Sequence, residues 1–224
     1  MIAHPQPQLP APFLVTSLDL GQAQDPTGLA VVECTSAWRN ARHDSIDRSF
    51  AVRHLERFPA GTPYPKIVDR LIDMFHLPPL RRTRLVFDLT AVGRPVGDLF
   101  RYAKIEGSSR CVAIVPGEPV NGFNIYPWQI GKKDLVGLLQ VSLQTGRIKI
   151  APGLEYSDIL LAELANFRIK PINVADPIGD WRTGPHDDLV LAVAIGVWEC
   201  DRPTFFPPTT SKPVKREPLF PERW

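Results

Sequence analysis

The sequence predicts one α/β domain in which a mixed sheet, three antiparallel strands and then parallel ones, is flanked by helices. Apolar runs of strand length open the chain in close succession. From Pro65 onward, helix-length and strand-length segments alternate, an order that favours parallel pairing. At 224 residues the chain has room for one domain with a sizeable core and not for two comfortable ones.

Phe13 to Asp19 is a short apolar run ending at a carboxylate. After a turn containing Gly21 and Pro26, Gly28 to Glu33 is a second run, so the two read as a hairpin. Around Asp47 to Arg53, Ile46, Phe50 and Val52 alternate with charged positions, as in a third, partly exposed strand. From Pro65 to Leu77, Ile67, Val68, Leu71, Ile72 and Phe75 recur at helical spacing until Pro78-Pro79 stops the run. Arg84 to Asp88 then reads as a buried strand, Gly93 to Ile105 as a helix, and Cys111 to Val115 as a strand. Later segments read as a helix from Lys132 to Gln144, a short strand from Arg147 to Ile150 and a helix from Tyr156 to Phe167. A last helix, Asp187 to Glu199, is so apolar that most of its sides must be covered.

Prolines at 5, 7, 10 and 12, and again at 203, 207, 208, 213, 218 and 221, make the ends extended segments with few backbone donors. The expected organisation is a Pro-rich arm over 1–12, a folded domain over 13–200 and a Pro-rich basic tail over 201–224. Hydrophobic residues at 44% and charged residues at 22% are ordinary for a folded soluble chain. A net charge of +2 does not select a partner by itself, since it hides any local basic patch. Cys34, Cys111 and Cys200 are odd in number and lack zinc-site spacing, which points to reduced thiols in a cytoplasmic protein. Met1 to Pro7 has no signal-peptide character, and no run approaches a membrane span.

Three acidic positions carry the chemistry. Asp19 ends the first strand, with Asp25 on the following turn. Asp88 ends another strand, ahead of Leu89 to Pro95. Asp187 and Asp188, preceded by His186, open the apolar last helix. In open α/β sheets ligands gather beyond the carboxyl ends of strands. Each acid has a bland alternative: Asp19 and Asp25 as turn supports, Asp88 as a helix cap, and one of the Asp187-Asp188 pair as a cap on the helix dipole. Brought together, such carboxylates repel unless a cation joins them. All-oxygen ligands suit magnesium or manganese, and two such ions serve phosphodiester hydrolysis without a covalent nucleophile.

Together the three segments resemble the nuclease domain of phage terminase large subunits, of ribonuclease H-like fold. The segments are Asp-Leu-Gly-(x)3-Asp-Pro-Thr-Gly from Asp19, Val-Phe-Asp-(x)4-Gly-Arg-Pro-Val around Asp88, and His-Asp-Asp-Leu-Val-Leu-Ala from His186. The likeness runs from about Phe13 to Trp198. It implies a two-metal endonuclease acting on double-stranded DNA, in which Asp19, Asp88 and Asp188 hold Mg2+ or Mn2+ and Asp25 and Asp187 assist. It further implies that His186 orients a carboxylate or water and that Lys132 and Lys133 meet DNA phosphates, although a solvated helix start explains the lysines equally well.

The sequence contains no Gly-(x)4-Gly-Lys-Ser/Thr loop, so it supplies no ATP-driven motor of its own. The resemblance therefore implies a free-standing nuclease, a terminase fragment or a prophage remnant, with a separate terminase ATPase, small subunit or portal as possible partners in a bacterial host. Three other readings share the fold signals. A nucleotide-binding module of the actin and sugar-kinase type would need a late Gly-rich loop, for which Thr183-Gly184-Pro185 is a poor substitute. A non-catalytic interaction module and a junction-resolving nuclease complete the set. Tyr126, Trp128 and Trp181 read as packing residues before base-stacking ones, and Lys212, Lys215 and Arg216 as an ordinary charged tail.

Overall fold

Seven strands form one sheet in the order β6-β5-β4-β1-β2-β3-β7. The structure is a computed structural model and describes residues 9–40, 45–81, 83–90, 92–103, 105, 107–120, 126–167 and 187–202. β1 (Phe13–Asp19) and β2 (Thr27–Trp38) make the expected antiparallel hairpin, and β3 (Ile46–Phe58) pairs antiparallel with β2. After α1 (Tyr64–His76), β4 (Arg84–Asp88) returns parallel to β1. α2 (Arg94–Tyr102) leads to β5 (Ser108–Val115), parallel to β4. β6 (Trp128–Gly131) adds a parallel edge, α3 (Lys132–Gln144) follows it directly, and β7 (Ile148–Ile150) crosses to the opposite edge, parallel to β3. α4 (Ser157–Asn166) and α5 (Asp188–Asp201) complete the chain of elements. The three antiparallel strands followed by parallel ones are the arrangement expected from the sequence.

Period-two alternation along the strands divides the core into two layers. Leu14, Leu18, Leu85 and Phe87 face α1 and α2, whose Ile67, Leu71, Phe75 and Phe100 are buried against them. Val15, Ala30, Val32 and Val86 face the other way, toward α3, α4 and α5. α5 lies deepest: ten consecutive residues, Asp188 to Val197, are buried. Burying each of its large apolar side chains stabilises the fold by roughly 1.5–3 kcal/mol. The approach to the sheet is close because Gly196 has no side chain. A Cβ there would lie 2.6 Å from Ser17 Oγ and 2.8 Å from a Val32 methyl, and the Ser17 hydroxyl donates to the Ala192 carbonyl at 2.7 Å.

The far end of α5 is held by cations. Arg48 donates to the Cys200 carbonyl at 2.8 Å, satisfying a terminal acceptor and complementing the helix dipole. Glu199, 1% exposed, is paired with Arg84 at 2.8 Å and with Arg110 at 3.1 Å. Cys34, Cys111 and Cys200 are free and buried. Among the described residues, no helix is long and apolar enough to cross a membrane.

Candidate active site

The Asp19 turn follows from its residue types. A Cβ on Gly21 would lie 2.2 Å from the Asp25 carbonyl oxygen and 2.3 Å from that of Pro26, so only glycine fits where the chain doubles back. Thr27 Oγ1 accepts the Gly21 amide at 2.9 Å and closes the turn. Asp25 itself is exposed on this turn.

Register then aligns four residues in one row across the sheet. Asp88 of β4 is paired with Asp19 of β1, Asp19 with Gly28 of β2, and Gly28 with Arg57 of β3. Adjacent strands lie about 4.8 Å apart, so the two aspartates are neighbours. Both share the face of Val15 and Val86, which is the α5 face. Asp19 is 1% and Asp88 3% exposed. Asp88 is anchored by Thr90, whose amide and hydroxyl both donate to Oδ1, at 2.9 and 2.6 Å. Thr90 Oγ1 in turn accepts the Ile114 amide at 2.8 Å. The bonds from Thr90 restrain Asp88 at the strand end, and the predicted capping alternative gives way to this local turn.

Gly28 admits the third acid. A Cβ at this position would stand 2.4 Å from the Asp188 carbonyl oxygen and 3.0 Å from the Leu189 nitrogen, so the first turn of α5 rests directly on the middle of the row. Asp188, 3% exposed, is thereby placed over the sheet between Asp19 and Arg57. Its carboxylate is held by one edge of the guanidinium in a bidentate pair, with Arg57 Nε donating to Oδ2 at 3.1 Å and Nη2 to Oδ1 at 2.9 Å.

Glu163 of α4 caps this helix from outside. Its Oε2 accepts the amides of Leu189 and Val190, both at 3.1 Å, two donors that would otherwise be unsatisfied in the first turn. Burial, then the neighbouring Asp188 charge, push its carboxyl up to about 7 against the opposing effect of those amides and of Arg57. Asp187 occupies the N-cap position, is 7% exposed and makes no side-chain capping bond.

His186 and Trp181 lie outside the described residues, as does the chain beyond Arg202. The two lysines part company. Lys132 is 3% exposed, and burial lowers the pKa of its ammonium group, whereas Lys133 is exposed. Tyr126 and Trp128 are engaged within the fold: the Tyr126 hydroxyl lies 3.0 Å from Cys111 Sγ, and the Arg110 and Arg202 guanidinium carbons stand 5.3 and 4.3 Å from the centre of the Trp128 ring. Sequence reasoning missed Arg57, Glu163, Gly28 and Thr90. Only Gly28 carried a signal, as the glycine closing the Asp-Pro-Thr-Gly segment.

No protein-family model matches the chain, and no curated protein matches its sequence. Among solved structures, the large terminase nuclease from the thermophilic phage G20c is similar with a TM-score of 0.55 at 20% identity, over 84% of this chain and 82% of that one. The chain has the fold of a phage large-terminase nuclease. At that identity the likeness establishes the ribonuclease H-like arrangement of sheet and helices. The donor set of Asp19, Asp88 and Asp188 is all carboxylate oxygen, which fits a hard divalent cation. Among the described residues, no three His, Cys, Asp or Glu side chains stand close enough as placed to hold an ion; the Asp188 carboxylate is turned to Arg57.

Proposed function

We propose that the chain is a metal-dependent endonuclease that hydrolyses DNA phosphodiesters in the manner of a terminase nuclease. One observation carries this reading: Asp19 and Asp88 are buried register neighbours at the carboxyl ends of two parallel strands, and the first turn of a buried helix, which carries Asp188, rests on Gly28, the register neighbour of Asp19. Three aspartates buried near the carboxyl ends of two central strands favour the approach of a divalent cation, which offsets their mutual repulsion. The terminase-type fold supports the same conclusion. Once bound, two magnesium or manganese ions held by Asp19, Asp88 and Asp188 supply the charge that stabilises both the attacking and the leaving oxygen of the phosphodiester.

The remaining work belongs to the protein. Thr90 fixes Asp88 in orientation, and Glu163 holds the first turn of α5, and with it Asp188, against the sheet. Asp25 and Asp187 are second-rank ligands in this reading. Of the two lysines, the exposed Lys133 is the proposed phosphate contact. Double-stranded DNA is the substrate, and a terminase ATPase is the natural partner of a nuclease of this fold.

The test is nicking of supercoiled plasmid in manganese chloride. Wild type is expected to relax and linearise the plasmid, and Asp88→Ala to leave it intact. Equal nicking by the two proteins would sink the assignment.

A further inference from the structure

Arg57 stands between two carboxylates. It is the β3 member of the acidic row, paired with Gly28, so it faces α5 across a position that has no side chain. Its Nη2 donates to Asp188 Oδ1 at 2.9 Å and lies 3.9 Å from Glu163 Oε1. That second oxygen is buried and has no hydrogen-bond partner, while its twin Oε2 is fully used by the amides of Leu189 and Val190. An unsatisfied buried carboxylate oxygen is costly and calls for an explanation.

We propose that Arg57 is a cation-responsive latch: without a divalent cation it occupies Asp188, and when the cation takes Asp188 the guanidinium passes to Glu163. The proposal rests on the reading of Asp188 as a cation ligand. Two physical points support it. With both oxygens engaged by Arg57, Asp188 cannot turn one toward Asp19 and Asp88 without losing a charge-assisted hydrogen bond. A guanidinium against the same carboxylate also repels an incoming divalent ion in this poorly solvated setting. Glu163 resolves both, because it is bonded to the same helical turn that carries Asp188 and so offers a second acceptor in a fixed place. Transfer needs only that the Nη2 separation close from 3.9 Å to hydrogen-bonding distance. The latch keeps Asp188 paired before loading and surrenders it to a cation that competes for it.

Calorimetric titration of manganese chloride into the full chain tests this, with thermal melts of each variant with and without the metal. Arg57→Gln removes the competitor and is expected to bind manganese at least about tenfold more tightly than wild type, a gain of about 1.4 kcal/mol. Glu163→Gln keeps an acceptor for the two amides but removes the receiving charge, so manganese binding weakens. In the double variant that weakening shrinks, because there is no guanidinium left to transfer. Arg57→Lys, which cannot span both oxygens, falls between wild type and Arg57→Gln and provides the test if the glutamine variant does not fold. Manganese affinity in Arg57→Gln equal to or below wild type overturns the latch, as does an undiminished Glu163→Gln effect in the double variant. If wild type itself shows neither heat nor a melting shift with manganese, the latch and the nuclease reading fall together. Wild-type binding with an unresponsive Arg57 removes the latch alone.

Discussion

Replacing Gly28 by alanine places a methyl carbon 2.4 Å from the Asp188 carbonyl oxygen, 2.6 Å from its carbonyl carbon and 3.0 Å from the Leu189 nitrogen. Comfortable carbon contacts begin near 3.5 Å, so the first turn of α5 must retreat by about 1 Å. All three atoms belong to the backbone of a buried helix, which leaves no flexible side chain to absorb the clash. The helix is also pinned near its other end, where Gly196 rides against Ser17 and Val32. Overpacking of this kind costs about 1–3 kcal/mol or more, and the rigid neighbours place Gly28→Ala at the upper end. For a domain of this size, about 3 kcal/mol lowers the melting temperature by about 6–12 °C. The same retreat carries Asp188 away from Asp19, and a misplacement of about 1 Å in a reacting site costs on the order of 100-fold in rate. Circular-dichroism melting and plasmid nicking in manganese measure the two effects. Gly137→Ala is the control: its Cβ meets nothing within 4 Å, and replacing a glycine inside α3 is expected to stabilise by about 0.5–1 kcal/mol. A Gly28→Ala protein that melts and nicks like wild type would refute the claim that this glycine seats the helix.

Glu199→Ala strips the buried acid from between Arg84 and Arg110 and is expected to cost about 3–5 kcal/mol in urea denaturation; a loss under about 1 kcal/mol would show that the arginines re-solvate freely. Glu163 has its carboxyl raised to about 7, so its contribution to stability is fully present below its unfolded value near 4.5 and is lost as pH rises through 7. Urea denaturation at pH 5 and pH 7.5 is therefore expected to show a larger decline for wild type than for Glu163→Gln, and parallel declines would contradict it. Glu56 runs the other way. Burial raises its carboxyl, but hydrogen bonds from His54 and Arg70 outweigh burial and bring it to about 2, so its stabilisation is present above about 4.5 and lost as pH falls through 2. Glu56→Gln should accordingly destabilise near pH 7 and converge with wild type in acid unfolding near pH 2.

The elements that emerged from the sequence are those whose pattern is local. Arg84 to Asp88 and Lys132 to Gln144 are seen with the expected bounds, because a buried strand is a continuous apolar run and an amphipathic helix repeats every 3.6 residues. β2 and β3 extend well past their apolar runs to Trp38 and Phe58, where polar and charged residues mixed with apolar ones break the apolar pattern. β6 has four residues, too few for any periodicity. For β7, its three residues signalled a strand, while its place at the far edge beside β3 depends on a crossover that no local pattern records.

The site divides along the same line. Asp19, Asp88 and the Asp187-Asp188 pair stood out in sequence because each ends or opens an apolar run, where an uncompensated charge is costly. Arg57 lies on a strand with other charged residues, and Glu163 on a helix with both polar and apolar positions, so neither departs from the pattern of a solvated face. Their meaning comes from pairings 131 and 26 residues apart, Arg57 with Asp188 and Glu163 with Leu189. The sequence by itself determined the order of the strands and helices other than β6, and the acids at their ends, because those follow from local periodicity and the cost of burying charge. Only the tertiary structure decided that Asp88, Asp19, Gly28 and Arg57 share one row, with α5 seated on its glycine and Glu163 capping that helix. Strand register and helix docking arise from contacts between segments distant in the chain, and such contacts leave no periodic trace in any one of them.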